Sequence, residues 1–158
     1  MSPFYILKSL DLLGWLTLLV GWERGWATKS DLEHYATDKL QNATCENDLV
    51  DTAILASAKQ LDNAEIGQSL KQLAENTPER SQEALEKWRL ARLIALQSQG
   101  LDWDEKVTRL EEIGADFGFP EDMRNCSRYA ISDEATDSDP LESMANVIVG
   151  LRKHFGVG

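Results

Sequence analysis

The sequence predicts an all-α fold, an irregular array of about six to eight helices packed as antiparallel hairpins, with no substantial sheet. Nowhere in the 158 residues do polar and apolar side chains alternate over the length of a strand. Apolar residues instead recur at helical spacing through most of the chain, and most connections between these segments are short. No fixed repeat period is present, which disfavours a regular solenoid.

The segment from Thr77 to Gly100 is predicted to form the central helix. Thr77 is suited to the N-cap, because its hydroxyl can accept a backbone N–H, and Pro78 is suited to the first helical position. Trp88 lies on the apolar stripe, and residues 90–96 are apolar almost all round. A helix with this pattern needs neighbours on several sides, so we expect the indole of Trp88 to be largely buried.

Signals for four more helices precede the central one. Residues 1–11 are compatible with either an extended arm or an early helical turn. Ser30 and Glu33 fit a capping box, in which each side chain accepts the other residue's backbone N–H. The predicted helices are Leu12–Trp26 with a break at Gly25, Ser30 to about Gln41, a segment from Asn47 or Asp48 whose apolar face ends at Leu61, and a shorter one after Asp62-Asn63 that ends near Asn76.

Two helices and a short turn are predicted after the central helix. Asp102 can cap a helix, with Glu105 three residues further on, and Pro140 is suited to the first position of the last helix. A helical turn is expected from Pro120 to about Cys126. The buried stripe of the helix capped by Asp102 is predicted to contain Trp103, Val107, Leu110 and Ile113.

A corner is predicted between this helix and the turn at Pro120. Gly114–Phe119 is expected to leave the helix, with Phe117 and Phe119 docking back so that both rings are buried. Asp116 is expected to be positioned by backbone donors or by a nearby arginine, for which Arg124 and Arg128 are the candidates.

Composition indicates one folded domain spanning residues 1–158. Hydrophobic residues make up 42% of the chain, which is typical of a globule rather than of a disordered protein. The formal net charge of −11 disfavours nucleic acid and anionic membranes as direct partners. A basic protein is the partner that this charge favours, although an acidic balance also serves solubility.

The cysteines and the apolar N-terminal stretch favour a cytoplasmic location. Cys45 and Cys126 are far apart and form no C-x-x-C pattern, so two reduced thiols are expected rather than a disulfide. The stretch Leu10–Trp22 is too short to span a bilayer, contains Asp11 and is followed by no small-residue cleavage site. We therefore predict a buried helix there.

The sequence contains no recognisable catalytic or metal-binding motif. His34 and His154 are its two histidines, and neither has a partner at a catalytic spacing. The aspartates at positions 133, 137 and 139 lack the alternate spacing and the central glycine of an EF-hand loop. We therefore predict a non-enzymatic protein with no catalytic residue, no metal site and no cofactor.

An acidic stretch near the C-terminus is the candidate binding element. Ser132–Asp139 is acidic and poor in apolar residues, which predicts an exposed loop. A second acidic pair precedes it at the predicted turn. The candidate partner-binding residues are Glu121, Asp122, Asp133, Glu134, Asp137 and Asp139.

Residues 110–129 (LEEIGADFGFPEDMRNCSRY) also carry a recognisable order of residue types. An acidic residue is followed by an alanine–aspartate–aromatic run that ends in proline, and then by a basic–aromatic pair. The pattern resembles that of a family of small bacterial proteins of unknown function, counted among the immunity proteins of polymorphic toxin systems. The matching residues are Glu112, Ala115-Asp116-Phe117, Phe119-Pro120-Glu121 and Tyr129, with Gly21, Trp26, Asp31, Tyr35-Ala36 and Leu40 in the first half.

The resemblance implies a protein that neutralises a bacterial toxin, and it implies no active site. Together with the charge, it favours an acidic face that docks on a basic toxin domain and blocks its access to substrate. The alternative is a helical adaptor or interaction module that binds a peptide in a groove.

Overall fold

A computed structural model describes residues 2–41, 49–128 and 139–157, and for Leu49 and Val50 only the backbone. These residues form eight α-helices and no strand, so the predicted all-α fold is confirmed. None of the helices in this part of the chain combines the length and the apolarity that crossing a bilayer requires. The helices are α1 (Pro3–Ser9), α2 (Trp15–Arg24), α3 (Lys29–Gln41), α4 (Leu49–Leu55), α5 (Asn63–Glu75), α6 (Ser81–Gln97), α7 (Trp103–Asp116) and α8 (Pro140–His154).

The helices are organised in two compact units. One unit contains Asp11–Leu85, and the other combines Met1–Leu10 with Glu86–Gly158. The single domain expected for residues 1–158 stays a prediction.

In the unit Asp11–Leu85, α2 packs against α5, α3 against α4, and α4 against α5. The apolar stripes predicted for α3 and α5 contribute to its core, where Leu32 and Ile66 have no exposed surface. The face predicted for α4 is wrong, because Ile54 is exposed and the buried apolar side chains are those of Leu55 and, beyond the helix, Ala58. Gly25 ends α2 in the left-handed conformation, with φ of 78°, as the predicted break required. A short 3₁₀ segment, Ala58–Gln60, follows α4 and packs against α3.

The cap of α3 lies two residues before its predicted position. The hydroxyl of Thr28 accepts the backbone N–H of Asp31 at 3.1 Å, and the carboxylate of Asp31 accepts the N–H of Thr28 at 3.0 Å. This reciprocal pair is a capping box, so the motif was predicted correctly and placed wrongly at Ser30 and Glu33. Glu33 instead accepts the backbone N–H of Lys59, in the middle of the 3₁₀ segment, at 2.8 Å.

The start of α6 was also predicted too early, because residues 77–80 are not helical. The hydroxyl of Thr77 donates to the carbonyl of Ala74 at 3.1 Å, at the end of α5, instead of capping α6. Glu79 turns back to α2, where its Oε2 accepts the hydroxyl of Thr17 at 2.5 Å. A carboxylate at the first turn of a helix is favoured by the helix dipole. The carboxylate of Glu79, from a distant part of the sequence, is therefore held near the N-terminal end of α2.

Gly14, the N-cap residue of α2, leaves the space for this carboxylate. A Cβ at position 14 would lie 1.6 Å from Oε1 of Glu79, and the backbone there is extended, with φ of −160°. The requirement for glycine is therefore one of space rather than of backbone conformation.

Gly14→Ala is expected to lower the free energy of unfolding by about 1–2 kcal/mol, because the displaced Glu79 loses its bond to Thr17 and its place at the helix end. Gly67→Ala in α5 is the matched control. No atom lies within 4 Å of its added Cβ, and we expect a gain of up to about 1 kcal/mol. Urea denaturation measures both. In a Glu79→Ala background the loss from Gly14→Ala should nearly vanish; an undiminished loss would contradict this explanation.

In the other unit, α8 packs against α7 and against a 3₁₀ segment, Glu121–Met123. The prediction for the central helix is confirmed at Trp88, whose indole has no exposed surface. The start of the chain, left open by its sequence, is helical from Pro3, and the hydroxyl of Ser2 accepts the N–H of Tyr5 at its N-terminus. Asp102 caps α7 as predicted, accepting the N–H of Glu105 at 2.9 Å.

The corner after α7 differs from the prediction. Helix α7 continues to Asp116, and the side chain of Phe119 is 51% exposed, so its predicted burial is wrong. Its ring nevertheless covers Gly114, where an added Cβ would lie 2.7 Å from Cε1 of Phe119. Asp116 is held by an arginine, as expected, but the arginine is Arg92 of α6, with 2.8 Å between Oδ2 and Nη1.

Candidate functional site

The exposed tryptophan at the start of α7 organises the candidate binding surface. Trp103 was expected in the buried stripe, but its side chain is 45% exposed, while Val107 and Leu110 are fully buried. Trp103 is the first residue of the helix, directly after the capping Asp102. Its neighbour Asp104 is more exposed still, with 81% of its side chain accessible.

Arg128 lies over this tryptophan. Its guanidinium carbon is 5.8 Å from the ring centroid, which is a cation–π distance. The same guanidinium donates to α7 at three points: to Glu111 Oε1 at 3.0 Å, to the Asp104 carbonyl at 2.9 Å and to the Thr108 hydroxyl at 2.8 Å. Arg128 is thus fixed along one face of α7.

Asp139, the residue directly before α8, binds the same tryptophan. Its Oδ1 accepts the indole Nε1–H of Trp103 at 3.0 Å and also the backbone N–H of Leu141 at 3.0 Å. Asp139 therefore caps α8 and ties it to α7, and its carboxylate remains on the exposed side. We call Trp103, Asp104, Arg128 and Asp139 the Trp103 surface.

Of the other predicted binding residues, two lie on the 3₁₀ segment and three lie outside the described residues. Glu121 and Asp122 are both exposed. Asp122 also has a structural role, since its Oδ1 accepts from Nη1 of Arg89 at 2.8 Å. The residues outside the described ranges are Asp133, Glu134 and Asp137.

Arg89 is the buried charge that anchors the 3₁₀ segment to α6. It is 3% exposed and is paired with Glu86 one turn earlier as well as with Asp122. Its Nε is buried, with no hydrogen-bond partner in the part of the chain that the structure describes. Arg89 stands between Trp88 and Leu90 in the sequence, and this position between two core residues is the signal by which the sequence could have identified it.

The thiol of Cys126 lies beside this ion pair. Burial, reinforced by the negative charge of Asp122 and opposed by Arg89, raises the pKa of Cys126 to about 11. The thiol is free and buried, and it is protonated at neutral pH. Cys45, the other thiol expected to be reduced, lies outside the described residues.

One described histidine, His34, lies beside an acid. His34 lies 3.6 Å from Asp38 on the next turn of α3, and both side chains are well exposed. Within the described ranges, no cluster of three or more histidine, cysteine or acidic side chains could hold a metal ion. What the site offers chemically is a rigid, exposed indole with carboxylates around it.

The comparisons with known proteins identify the family. No curated protein and no solved structure matches the chain. The profile of a family described as an uncharacterized protein conserved in bacteria (DUF2247) matches residues 4–150, and so covers nearly the whole chain. The chain therefore belongs to this uncharacterized bacterial family.

Proposed function

We propose that this protein is a non-enzymatic, acidic binding protein that neutralises a bacterial toxin by covering its substrate-binding surface. One observation carries the proposal: the Trp103 surface presents an exposed indole, held in a fixed orientation by Arg128 and Asp139, with the exposed carboxylate of Asp104 beside it in sequence. The sequence resemblance to immunity proteins supports the toxin as the partner. We also propose that the protein acts in the cytoplasm, where such a toxin would be neutralised.

The indole has the properties of an interface anchor. Tryptophan and arginine are enriched among the residues that dominate binding energy, especially when packed rigidly. Trp103 is held by Arg128 over its ring and by Asp139 at its Nε1–H, so little side-chain entropy remains to be lost on binding. An exposed large side chain held in this way suits a partner surface that offers it a pocket.

The charge of the surface selects a basic partner. Asp104 is strongly exposed, Asp139 is exposed beside the indole, and the whole chain carries a net charge of −11. Complementary charge speeds the encounter of two proteins and disfavours acidic competitors. The acids Asp133, Glu134 and Asp137 precede Asp139 in the sequence and would add to this attraction.

Co-expression with the product of the adjacent gene tests the proposal. We expect the two proteins to co-purify and the wild-type protein to relieve the growth arrest caused by that product. A stable complex with a protein that is not toxic would favour the adaptor alternative. Absence of any complex with the products of both flanking genes would overturn the proposal.

Replacing Asp133, Glu134, Asp137 and Asp139 by their amides should slow association with the basic partner and weaken its dependence on salt. Stability should change by less than about 0.5 kcal/mol, since an asparagine at position 139 can still cap α8. Stopped-flow fluorescence at low salt measures the association rate. The matched control removes four exposed acids of the other unit, Glu23, Glu65, Glu75 and Glu83, with the same change in net charge. Equal slowing by both variants would show that only total charge matters.

A further inference from the structure

A cleft between α6 and α7, in the unit that contains Glu86–Gly158, is lined by both charged and apolar residues. Its volume is about 320 Å³, at the lower end of the range for ligand pockets, and the start of α1 closes one side. All of its lining residues belong to this one unit. The lining includes Arg92 and Leu96 of α6, Gln99 just after that helix, and Arg109, Glu112 and Ile113 of α7.

Buried apolar side chains are among the residues that line the cleft. Leu96 and Ile113 both line it, and each is more than nine-tenths buried. Only a small part of each side chain therefore reaches the opening. A ligand that covers this part needs a compact apolar group.

One cation of the cleft is held in place before any ligand arrives. The guanidinium of Arg92 lies 2.8 Å from Asp116, and its central carbon is 5.7 Å from the ring centroid of Phe117. These contacts fix the orientation of the head group, so binding an anion costs little additional ordering. The second cation, Arg109, is half-exposed and only loosely paired, at 3.5 Å from Glu105, so it can turn to a ligand at small cost.

An acid at the same cleft excludes a simple anion site. Glu112 lines the opening with the two arginines, and its carboxylate would repel a phosphate or a dicarboxylate. A ligand that carries both signs of charge satisfies all three groups. Its carboxylate can accept from the guanidinium groups, and its ammonium can donate to Glu112, both as charge-assisted hydrogen bonds.

We propose that this cleft binds a free α-amino acid with an apolar side chain. The carboxylate lies at Arg92 and Arg109, the ammonium lies at Glu112, and the side chain covers Leu96 and Ile113. Gln99 lines the cleft as a further hydrogen-bonding group. This site is separate from the Trp103 surface, and the proposal does not depend on the toxin hypothesis.

Titration of the full ¹⁵N-labelled chain with L-leucine tests the proposal. We expect saturable amide shifts centred on Leu96, Gln99 and Ile113, with a dissociation constant on the order of 1 mM, as suits a small ligand in an open cleft. Three reference compounds each lack one recognised group: isocaproate lacks the ammonium, isoamylamine lacks the carboxylate and glycine lacks the side chain. Each should bind about tenfold more weakly or worse.

Arg109→Gln and Glu112→Gln should each weaken L-leucine binding about tenfold without unfolding the protein, because both side chains lie at the surface. Arg152→Gln and Glu142→Gln on α8 are the matched controls and should leave binding unchanged. The proposal is overturned if L-leucine causes no saturable shifts. It is equally overturned if a reference compound binds as tightly as L-leucine, or if the control variants weaken binding as much as the cleft variants.

Discussion

Trp88→Ala is expected to lower the free energy of unfolding by about 3–5 kcal/mol, because truncating a large core side chain leaves a cavity that its neighbours fill only in part. The indole of Trp88 has no exposed surface, and it lies in a stretch of α6 whose residues 88–91 are all buried. Urea denaturation followed by circular dichroism measures the loss.

Trp103→Ala is the matched control for this prediction. It removes the same side chain from the same unit, at a position where 45% of the residue is already exposed. We expect it to cost clearly less, about 1–2 kcal/mol, from the lost contacts with Arg128 and Asp139. Equal losses at the two positions would contradict the assignment of Trp88 to the core.

The double variant Glu86→Gln/Asp122→Asn is expected to cost about 3 kcal/mol. It keeps hydrogen-bond acceptors beside Arg89 but removes both of its negative charges, which leaves a buried cation without compensation. This loss of stability lies at the low end of the range for buried ion pairs, because nearly half of the Asp122 side chain is exposed and solvent screens its charge.

Adding Arg89→Met to that double variant should restore part of the loss, because the uncompensated charge is then gone and an apolar chain fills the space. Glu105→Gln/Glu121→Gln, which removes two exposed acids, should stay within about 0.5 kcal/mol of wild type. A triple variant less stable than the double variant would show that Arg89 contributes mainly by its own hydrogen bonds.

The reactivity of Cys126 reports on the local structure around Arg89 and Asp122. Its thiol is buried and has a pKa of about 11, so it should react slowly with iodoacetamide at pH 8 in the wild-type protein. Release of the 3₁₀ segment in Glu86→Gln/Asp122→Asn should expose the thiol and speed its alkylation, measured by mass spectrometry of the peptide that contains Cys126. Unchanged protection would show that the segment stays in place without the ion pair.

Much of the fold could be predicted because helix signals are local. The cap at Asp102, the turn at Asp62-Asn63, the stop at Gly25 and the start of α8 at Pro140 each depend on residues within one helical turn of sequence. Periodicity identified Trp88 as a core residue for the same reason. At Thr77 the local signal was misleading. The residue was predicted to cap α6, but its hydroxyl donates to a carbonyl at the end of α5 instead.

The candidate site could be predicted only in part. The sequence identified Asp139 and Asp122 as acids near an exposed region, but not that each one also holds two elements together. Helical spacing placed Trp103 on the buried stripe, although the first turn of a helix extends beyond the core that its later turns enter. Its contacts with Arg128 and Asp139 join residues 25 and 36 positions away, and no local pattern encodes them.

By itself, the sequence determined the all-α class, the acidic charge and most of the buried positions, because composition and periodicity depend on residues a few positions apart. Only the tertiary structure decided that Asp116 pairs with Arg92, that Phe119 is exposed over Gly114, and that Glu79 binds Thr17 in the space left by Gly14. Those contacts depend on how helices pack. Several helix arrangements are compatible with the same apolar stripes, and packing alone selects which charged side chain meets which partner.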